Sequence, residues 1–329
     1  MGIMSLTEIM DRSIEILKKY MKTIVTFNLA YGALCFIGLI GVIVVGGILV
    51  GIAIGLKLNA IIIGIFSLIL GICIFASIMS FKIGLIKISS QEFLEERIYA
   101  SEAIGVCFKK AFKVLGVVIT EILLFLPVFG IFTAIGYVFY NKFQQPLLSF
   151  EIYTKSELST IIQMILLVLL AILSILAYIT IFSFSLHAVA IEDKGVFAAL
   201  KRSYNLVNGD YFKILGCTIL FNLTIYAIVY SLQSFLGLIA GIIYMIMKFL
   251  NAGQDFVGFA TMAYNFSSGP ISILSWLVIS PIGTIMLTYL YYNQRIKNEG
   301  YDMVLKLRKL QKHEEKENLC ESTQYNDSI

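Results

Sequence analysis

The chain has 329 residues and a formal net charge of +4, with 59% hydrophobic and only 14% charged residues. Ordinary soluble domains carry about 45–50% apolar and about 25% charged residues, so a water-soluble fold could not bury this surplus. The composition therefore excludes the soluble classes and predicts an integral membrane protein.

Six apolar runs are long enough to cross a bilayer, whose hydrocarbon core takes about 20 helical residues. They cover residues 23–56, 59–81, 114–140, 159–191, 214–247 and 270–292. We predict an all-α, polytopic fold in which residues 1–310 form one transmembrane helical domain and residues 311–329 form a disordered tail. Pro127 and Pro281 predict kinks. The first run is longer than the bilayer requires, so it must tilt, break or project beyond the headgroups.

The basic residues show which side each loop faces. All but four of the 25 lysines and arginines lie in segments 1–22, 82–113, 194–213 and 295–316, and the others are Lys57, Lys142, Lys155 and Lys248. Short cytoplasmic loops carry the excess of basic residues. This distribution predicts that both termini lie in the cytoplasm.

Three cytoplasmic segments end in a stretch with helical apolar spacing that leads into a span. The first begins with a capping box at residues 5–8, and the third ends at the helix-stop pair Asn208-Gly209. FKVLG at 112–116 recurs as FKILG at 212–216, and MDRS at 10–13 resembles LKRS at 200–203. These matches predict a threefold repeat of a cytoplasmic interfacial amphipathic helix followed by a transmembrane hairpin. The alternative is that any span entered from the cytoplasm acquires a basic lead-in.

Glycines recur at four-residue spacing in the first and fifth spans. They are Gly47, Gly51, Gly55, Gly237 and Gly241. Small residues at this spacing allow helix backbones to approach closely. The pattern predicts close helix packing, either within the molecule or between two copies.

Polar residues inside the spans are the candidates for function, because such residues are costly in hydrocarbon. Glu121 is the clearest, eight residues beyond Lys113 and about 12 Å away by helix rise. Asn28 and Asn222 follow the other two lead-ins at comparable distances. We hypothesise that these three residues and Gln163 form a hydrogen-bonded cluster. It would fix helix packing or bind a proton or substrate, or its members would extend toward the interface.

Basic side chains in the lead-ins are candidates for contact with anionic lipid headgroups. They are Lys109, Lys110, Lys113, Lys201, Arg202 and Lys213. The alternative is that they only set the topology. Membrane lipids are the expected partners, other membrane proteins or a second copy of the chain stay open, and no nucleic-acid partner is expected.

Signatures of enzymes are missing from the sequence. It contains no G-x-x-x-x-G-K-[ST], H-E-x-x-H or G-x-S-x-G motif and only two histidines. Its five cysteines form no C-x-x-C pair. We therefore predict a protein that is not an enzyme and has no cofactor and no metal site.

Three stretches carry a family resemblance: LTEIMDRSIEILKKY at the start, EDKGVFAALKRSYNLVNGDYFKILG at 192–216 and YLYYNQRIKNEGYDMVLKL at 289–307. They resemble the bacterial family named for the membrane domain of glycerophosphoryl diester phosphodiesterases. Membership implies an all-helical membrane module located in the bacterial cytoplasmic membrane. Hydrolysis in the enzymes that gave the name belongs to a separate soluble barrel, for which this chain has no room.

The last of these stretches suggests a docking segment. Arg295 and Glu299 are four residues apart and share a helix face, Gly300 should end that helix, and Asp302 follows. We predict that this segment docks against the cytoplasmic helix that carries Lys201 and Arg202.

The expected function is that of a non-enzymatic scaffold or accessory module that holds partner proteins or organises lipids. The alternative is a transporter or flippase-like carrier of an amphipathic substrate, which includes self-protection against membrane-active peptides. An intramembrane enzyme is a third reading, for which the sequence offers no nucleophile or metal set.

Overall fold

A computed structural model describes residues 4–55, 60–94, 96–142, 155–250, 255–307 and 310–311. The regular structure of these residues is helical, and none of them lies in a strand. Almost all of the tail predicted to be disordered, residues 312–329, lies outside the described residues.

Besides residues 301–307, which are also helical, the described part of the chain contains ten α-helices and one π-helical segment with defined bounds. They are α1 (Leu6–Gly55), α2 (Ala60–Ser89), α3 (Gln91–Leu94), α4 (Ala100–Lys142), α5 (Lys155–Phe182), α6 (Ser185–Glu192), α7 (Val196–Asn208), α8 (Tyr211–Phe249), α9 (Phe256–Leu274), the π-helical segment (Ser275–Ile279) and α10 (Ser280–Glu299).

Six stretches among the described residues are long and apolar enough to cross a membrane. They are Leu6–Ile48, Leu70–Ser89, Ala100–Val138, Ile161–Glu192, Tyr211–Phe249 and Phe256–Glu299. The predicted all-α, polytopic fold is therefore confirmed. The first span is one unbroken helix of 50 residues, about 75 Å long by helix rise, so of the three alternatives for this span a break does not occur.

The lead-in stretches differ in form from the separate helices that we expected. Only the third is a helix of its own, α7, which ends at Asn208. The first two are continuous with α1 and α4, because no proline or Asn-Gly pair interrupts the chain between lead-in and span. The predicted cap is present, since the Glu8 N–H donates to Ser5 Oγ at 3.3 Å and α1 begins at the next residue after Ser5.

The described helices group into two compact units. Unit 1 comprises Met1–Ala111 and Cys217–Ile329, and unit 2 comprises Phe112–Gly216. α4 and α8 each contribute their first part to one unit and the remainder to the other. The single domain expected over residues 1–310 stays a prediction.

The core of unit 1 is an aromatic stack that joins α1, α2 and the π-helical segment. Phe81 lies between Phe27 and Trp276, with ring centroids 5.5 and 5.8 Å apart. Gly84, one turn along from Phe81, faces Phe27 so closely that a Cβ there would lie 2.2 Å from Phe27 Cζ. The close approach of α1 and α2 therefore requires glycine at this position.

The core of unit 2 is built around the interruption between α5 and α6. Ser203 of α7 is fully buried, and its Oγ accepts the N–H of Phe184 at 3.1 Å and lies 2.7 Å from the Ile181 carbonyl oxygen. One hydroxyl thus binds backbone groups that the interrupted helix leaves without an internal partner. The chain can turn from α5 into α6 without an unpaired group at these two positions.

Burial repeats along the chain in register with the sequence matches. The buried positions of the first lead-in and span recur 190 residues later: Ser13, Ile16, Leu17, Ile24, Phe27, Asn28 and Tyr31 correspond to Ser203, Leu206, Val207, Ile214, Cys217, Thr218 and Phe221. Ala103, Cys107, Val114 and Val117 are buried 100 residues before Ser203, Val207, Ile214 and Cys217. This shared register supports the threefold repeat.

Candidate functional site

Glu121 binds the residues that flank the interruption between α5 and α6. Its Oε1 accepts the hydroxyl of Ser185 at 2.6 Å, and its backbone carbonyl accepts the hydroxyl of Tyr178. The same Ser185 hydroxyl lies 2.8 Å from the Phe182 carbonyl oxygen. The acid is half-buried inside the span Ala100–Val138. Unit 2 therefore holds an intramembrane carboxyl group on a hydroxyl-rich helix interruption.

Acidic residues between α6 and α7 pair with part of the predicted basic set. Glu192 Oε1 lies 3.1 Å from Nε and 3.0 Å from Nη2 of Arg202, and its Oε2 lies 3.0 Å from Lys194 Nζ. Asp193 pairs with Lys113 at 2.9 Å. Two of the six predicted lipid-contacting residues, Lys113 and Arg202, are thus already bound to acids.

Three of the predicted lysines are in a different position. The side chains of Lys109, Lys201 and Lys213 are exposed, and they form no ion pair with any residue that the structure describes. Lys110 is half-buried. The first three retain an accessible positive charge.

Asn28 in unit 1 binds a backbone group that a proline leaves unpaired. In a regular α-helix the Leu277 carbonyl would accept the N–H of residue 281, but Pro281 has no N–H. Instead the side-chain amide of Asn28 donates to that carbonyl at 2.9 Å. Asn28 is fully buried, and the helix just before Pro281 is π-helical. The irregularity expected at Pro281 is therefore stabilised by α1.

We expect Asn28→Ala to lower the free energy of unfolding by about 1–2 kcal/mol, because it leaves a buried carbonyl without a donor. Adding Pro281→Ala should recover part of this loss, since an alanine N–H can bind Leu277. Thermal unfolding followed by the fluorescence of Trp276, the neighbour of Leu277 and the only tryptophan in the chain, measures both effects. Effects that simply add in the double variant would contradict the pairing.

The members of the predicted polar cluster bind separate partners in the contacts described. Asn222 is exposed and donates to the Thr218 carbonyl on its own helix at 2.8 Å, and Gln163 is exposed on α5. Asn28 and Asn222 belong to unit 1, whereas Glu121 and Gln163 belong to unit 2. The four-residue cluster stays a prediction.

The repeat also shows that the three polar residues occupy different register positions. Asn28 corresponds to Thr218, whereas Glu121 corresponds to Phe221, one helical turn further along. Lys113 and Lys213 are in register, but Lys22 lies one position earlier in the repeat. Glu121, Asn222 and Asn28 follow these lysines by eight, nine and six residues, so similar distances from a lysine do not give the same position in the repeat. The repeated sequence therefore carries a polar side chain at two successive helical turns.

Residues 289–302, at the end of the last apolar run and just beyond it, form a second polar centre, which we call the tyrosine core. Tyr289 and Tyr292 are fully buried; Tyr289 donates its hydroxyl to Glu92, and Tyr292 stacks on Phe93 with centroids 3.9 Å apart. Gln91, beside them, donates to the Ile98 carbonyl at 3.1 Å. The last helix is thereby joined to the connection between α2 and α4.

Asn293 extends the tyrosine core to the N-terminal segment. Its Oδ1 accepts the Met4 N–H at 2.9 Å, and its Nδ2 lies 3.2 Å from the Met4 carbonyl oxygen. Both residues are buried, with 3% and 4% of their surfaces exposed. One amide side chain thus pairs both backbone groups of a residue 289 positions away in sequence.

The charged end of the same segment folds back on itself. Arg295 pairs with Glu299 at 3.3 Å, as their spacing predicts, and its guanidinium lies 3.7 Å from the centre of the Tyr301 ring. Gly300 adopts a φ of 62° and ends α10, which confirms the predicted helix stop. Asp302 lies 3.8 Å from Lys306.

The segment therefore makes its described contacts inside unit 1, with residues 4 and 92–93. Its docking against the helix of Lys201 and Arg202 stays a prediction.

Residues 99–293 match the family described as Domain of unknown function (DUF7847). This stretch is more than half of the chain. The chain belongs to this family. The DUF7847 match begins one residue before α4 and ends at Asn293, so it contains all of unit 2 together with Pro281, whereas Met4 and Asn28 lie outside it.

Other comparisons add no further relatives. Neither the curated proteins nor the solved structures contain a match to the chain. The family that matches carries no assigned function and is not named for glycerophosphoryl diester phosphodiesterases. The resemblance to their membrane domain stays a prediction.

Several residues of these two centres were not predicted from the sequence. Ser185, Glu92, Tyr289 and Asn293 were not singled out, although each forms a buried or half-buried hydrogen bond. One signal was available: YLYYNQ at 289–294 places several hydrogen-bonding side chains at the end of an apolar run. Among the described residues, no three of His, Cys, Asp or Glu lie close enough together to hold a metal ion.

Proposed function

We propose that the chain is a non-enzymatic membrane module that gathers anionic lipids along its lead-in stretches and so organises lipids or partner proteins at the cytoplasmic face. The observation that carries this proposal is that exposed phenylalanine rings lie near the three accessible lysines. Phe112 and Phe212 are 77% and 83% exposed, and Phe212 directly precedes Lys213. Exposed aromatic rings beside lysines are typical of the membrane–water interface.

The same arrangement occurs a second time in each of these two lead-in stretches. Phe108, which is 52% exposed, precedes Lys109. Phe197 and Lys201 are four residues apart on α7, both exposed, and so share a helix face. The rings would enter the interface while the ammonium groups meet lipid phosphates, at about 1 kcal/mol of attraction per basic residue. The charge distribution supports a topology with both termini in the cytoplasm, and the family resemblance supports a location in the bacterial cytoplasmic membrane.

The test uses the protein in nanodiscs of phosphatidylcholine that contain a minor share of phosphatidylglycerol. We expect mass spectrometry of the tightly held lipids to show enrichment of the anionic lipid. Changing Lys109, Lys201 and Lys213 to glutamine should lower its apparent affinity by roughly a hundredfold, if each lysine contributes about 1 kcal/mol.

A matched control removes the same number of charges from the predicted outer side, by changing Lys57, Lys142 and Lys155 to glutamine. This variant should retain the enrichment. Equal enrichment in both variants would overturn the lipid-gathering function.

A carrier of an amphipathic substrate is the second candidate, favoured by the Glu121–Ser185 contact inside a span. A buried ionisable group in a span is the usual mark of a proton or substrate path. Dithionite quenching of a headgroup-labelled lipid in proteoliposomes measures translocation between leaflets. A carrier should accelerate it over protein-free vesicles and lose the acceleration on Glu121→Gln, while the lysine variant retains it. No acceleration by the unmodified protein would exclude lipid translocation.

A further inference from the structure

A cavity of about 510 Å³ lies in unit 1 between α8 and α9. Its walls include Gly237, Ala240 and Gly241 on one helix and Ala260 and Ala263 on the other. None of its described lining residues is charged. The volume falls within the range of about 300–1,000 Å³ that is typical of small-molecule sites.

The two glycines keep this space open instead of bringing helices together. A Cβ at Gly237 or at Gly241 would meet no other heavy atom within 4 Å. The glycine spacing left two alternatives, close packing within the molecule and close packing between two copies. Gly237 and Gly241 therefore do not provide close packing of α8 within the molecule. A side chain at either position would occupy the cavity.

An apolar cavity of this size favours occupation by apolar material. Voids in a core are destabilising in proportion to their volume, and an apolar wall does not hold ordered water. The cavity lies between two of the stretches that are long and apolar enough to cross a membrane, so we infer that lipid hydrocarbon surrounds it. An acyl chain is consequently the material available to fill it.

The polar end of such a lipid also finds a partner. Tyr244 lines the cavity and contacts Phe256 and Phe259, with ring centroids 5.2 and 5.3 Å away. Lys248 follows Tyr244 by one turn on the same helix face, is exposed and forms no ion pair with described residues. Its charge is opposite to that of a lipid phosphate.

We propose that this cavity binds one acyl chain of a membrane phospholipid whose phosphate is held by Lys248. A transmembrane helix of a partner does not fit the same space, because a helix about 10 Å across and 15 Å long occupies about 1,200 Å³. The proposal goes beyond the lipid gathering at the lead-in lysines and does not depend on it. It concerns a single bound lipid at a different part of the sequence.

The experiment uses the full chain in nanodiscs that contain a phosphatidylcholine with a diazirine midway along one acyl chain. After irradiation and proteolysis, mass spectrometry should find the label concentrated on peptides from residues 233–244 and 256–267. The double change Gly237→Leu and Gly241→Leu fills the cavity and should lower this labelling by about tenfold, because the lipid chain loses its space.

The matched control is Gly47→Leu with Gly51→Leu, which has the same spacing on α1 and likewise no heavy atom within 4 Å of either Cβ. It should label like the unmodified protein. Lys248→Gln leaves the cavity walls intact and should also lower the labelling. This variant tests the proposal if the cavity-filled variant does not fold. Labelling spread evenly over the exposed helices, or unchanged in the filled variant or in Lys248→Gln, would overturn the proposal.

Discussion

Replacing Gly84 by leucine should lower the free energy of unfolding by about 3 kcal/mol or more, the upper end of the range for overpacked cores. A Cβ at this position would lie 2.2 Å from Phe27 Cζ and 2.8 Å from Cys107 Sγ. Both neighbours are fully buried, so neither ring nor sulfur has free space to enter. The substitution would force α1, α2 and α4 apart within unit 1.

The measurement is thermal unfolding in detergent, followed by the fluorescence of Trp276. This residue is the only tryptophan in the chain and stacks on Phe81, three residues from Gly84, so its emission reports on the affected core. Gly71→Leu is the control, because Gly71 lies on the same helix and a Cβ there would meet no heavy atom within 4 Å. If both variants melted at the same temperature, the close packing at Gly84 would be disproved.

Asn293→Ala should be the next most damaging change, at about 2–4 kcal/mol. The substitution leaves the N–H and the carbonyl of Met4 without the partners at 2.9 and 3.2 Å that Asn293 provides. Each buried backbone group left unpaired costs about 1–3 kcal/mol, and Met4 is almost fully buried. The N-terminal segment should detach from α10 before the rest of unit 1 unfolds.

Hydrogen exchange resolved by peptide tests this order. Exchange of residues 4–10 should accelerate strongly in Asn293→Ala, while the amides around Phe81 exchange at close to their normal rate. Asn222→Ala serves as the control, because Asn222 is exposed and, among the residues that the structure describes, donates only to a carbonyl on its own helix. Slow exchange at residues 4–10 in Asn293→Ala would show that the hydrogen bonds between Asn293 and Met4 contribute nothing to stability.

The tyrosine core gives a second meaning to the charged stretch that ends the last span. Basic residues after an apolar run predict where translocation stops. The structure adds that Tyr289, Tyr292 and Asn293, which precede these basic residues, bind residues 4 and 92–93 of unit 1. The segment is therefore an organising part of the fold as well as a boundary.

Much of the architecture was readable from the chain. All six spans, the cap at Ser5, the stop at Gly300 and the pairing of Arg295 with Glu299 depend on local patterns: apolar length, capping residues and four-residue spacing. The repeat was visible in two short matches and is supported by burial. Such features need no knowledge of which helices become neighbours.

The partners of the polar residues could not be read in the same way. Asn28 binds the carbonyl of Leu277, 249 residues away, because of a proline four residues beyond that carbonyl. Glu121 binds Ser185 at an interruption that no proline or glycine marks. The four-residue spacing of Gly237 and Gly241 likewise predicted close packing within the molecule or between two copies, and within this chain both glycines line a cavity.

By itself, then, the sequence determined that this protein is an all-α membrane protein with six spans, because hydrocarbon admits only segments whose backbone is paired internally and whose side chains are apolar. Tertiary structure alone decided which buried polar group binds which, where α5 breaks into α6, and which glycines approach a neighbour instead of lining a space. Those outcomes depend on contacts between residues far apart in the chain, and a pattern of spacing along one helix carries no information about the helix that faces it.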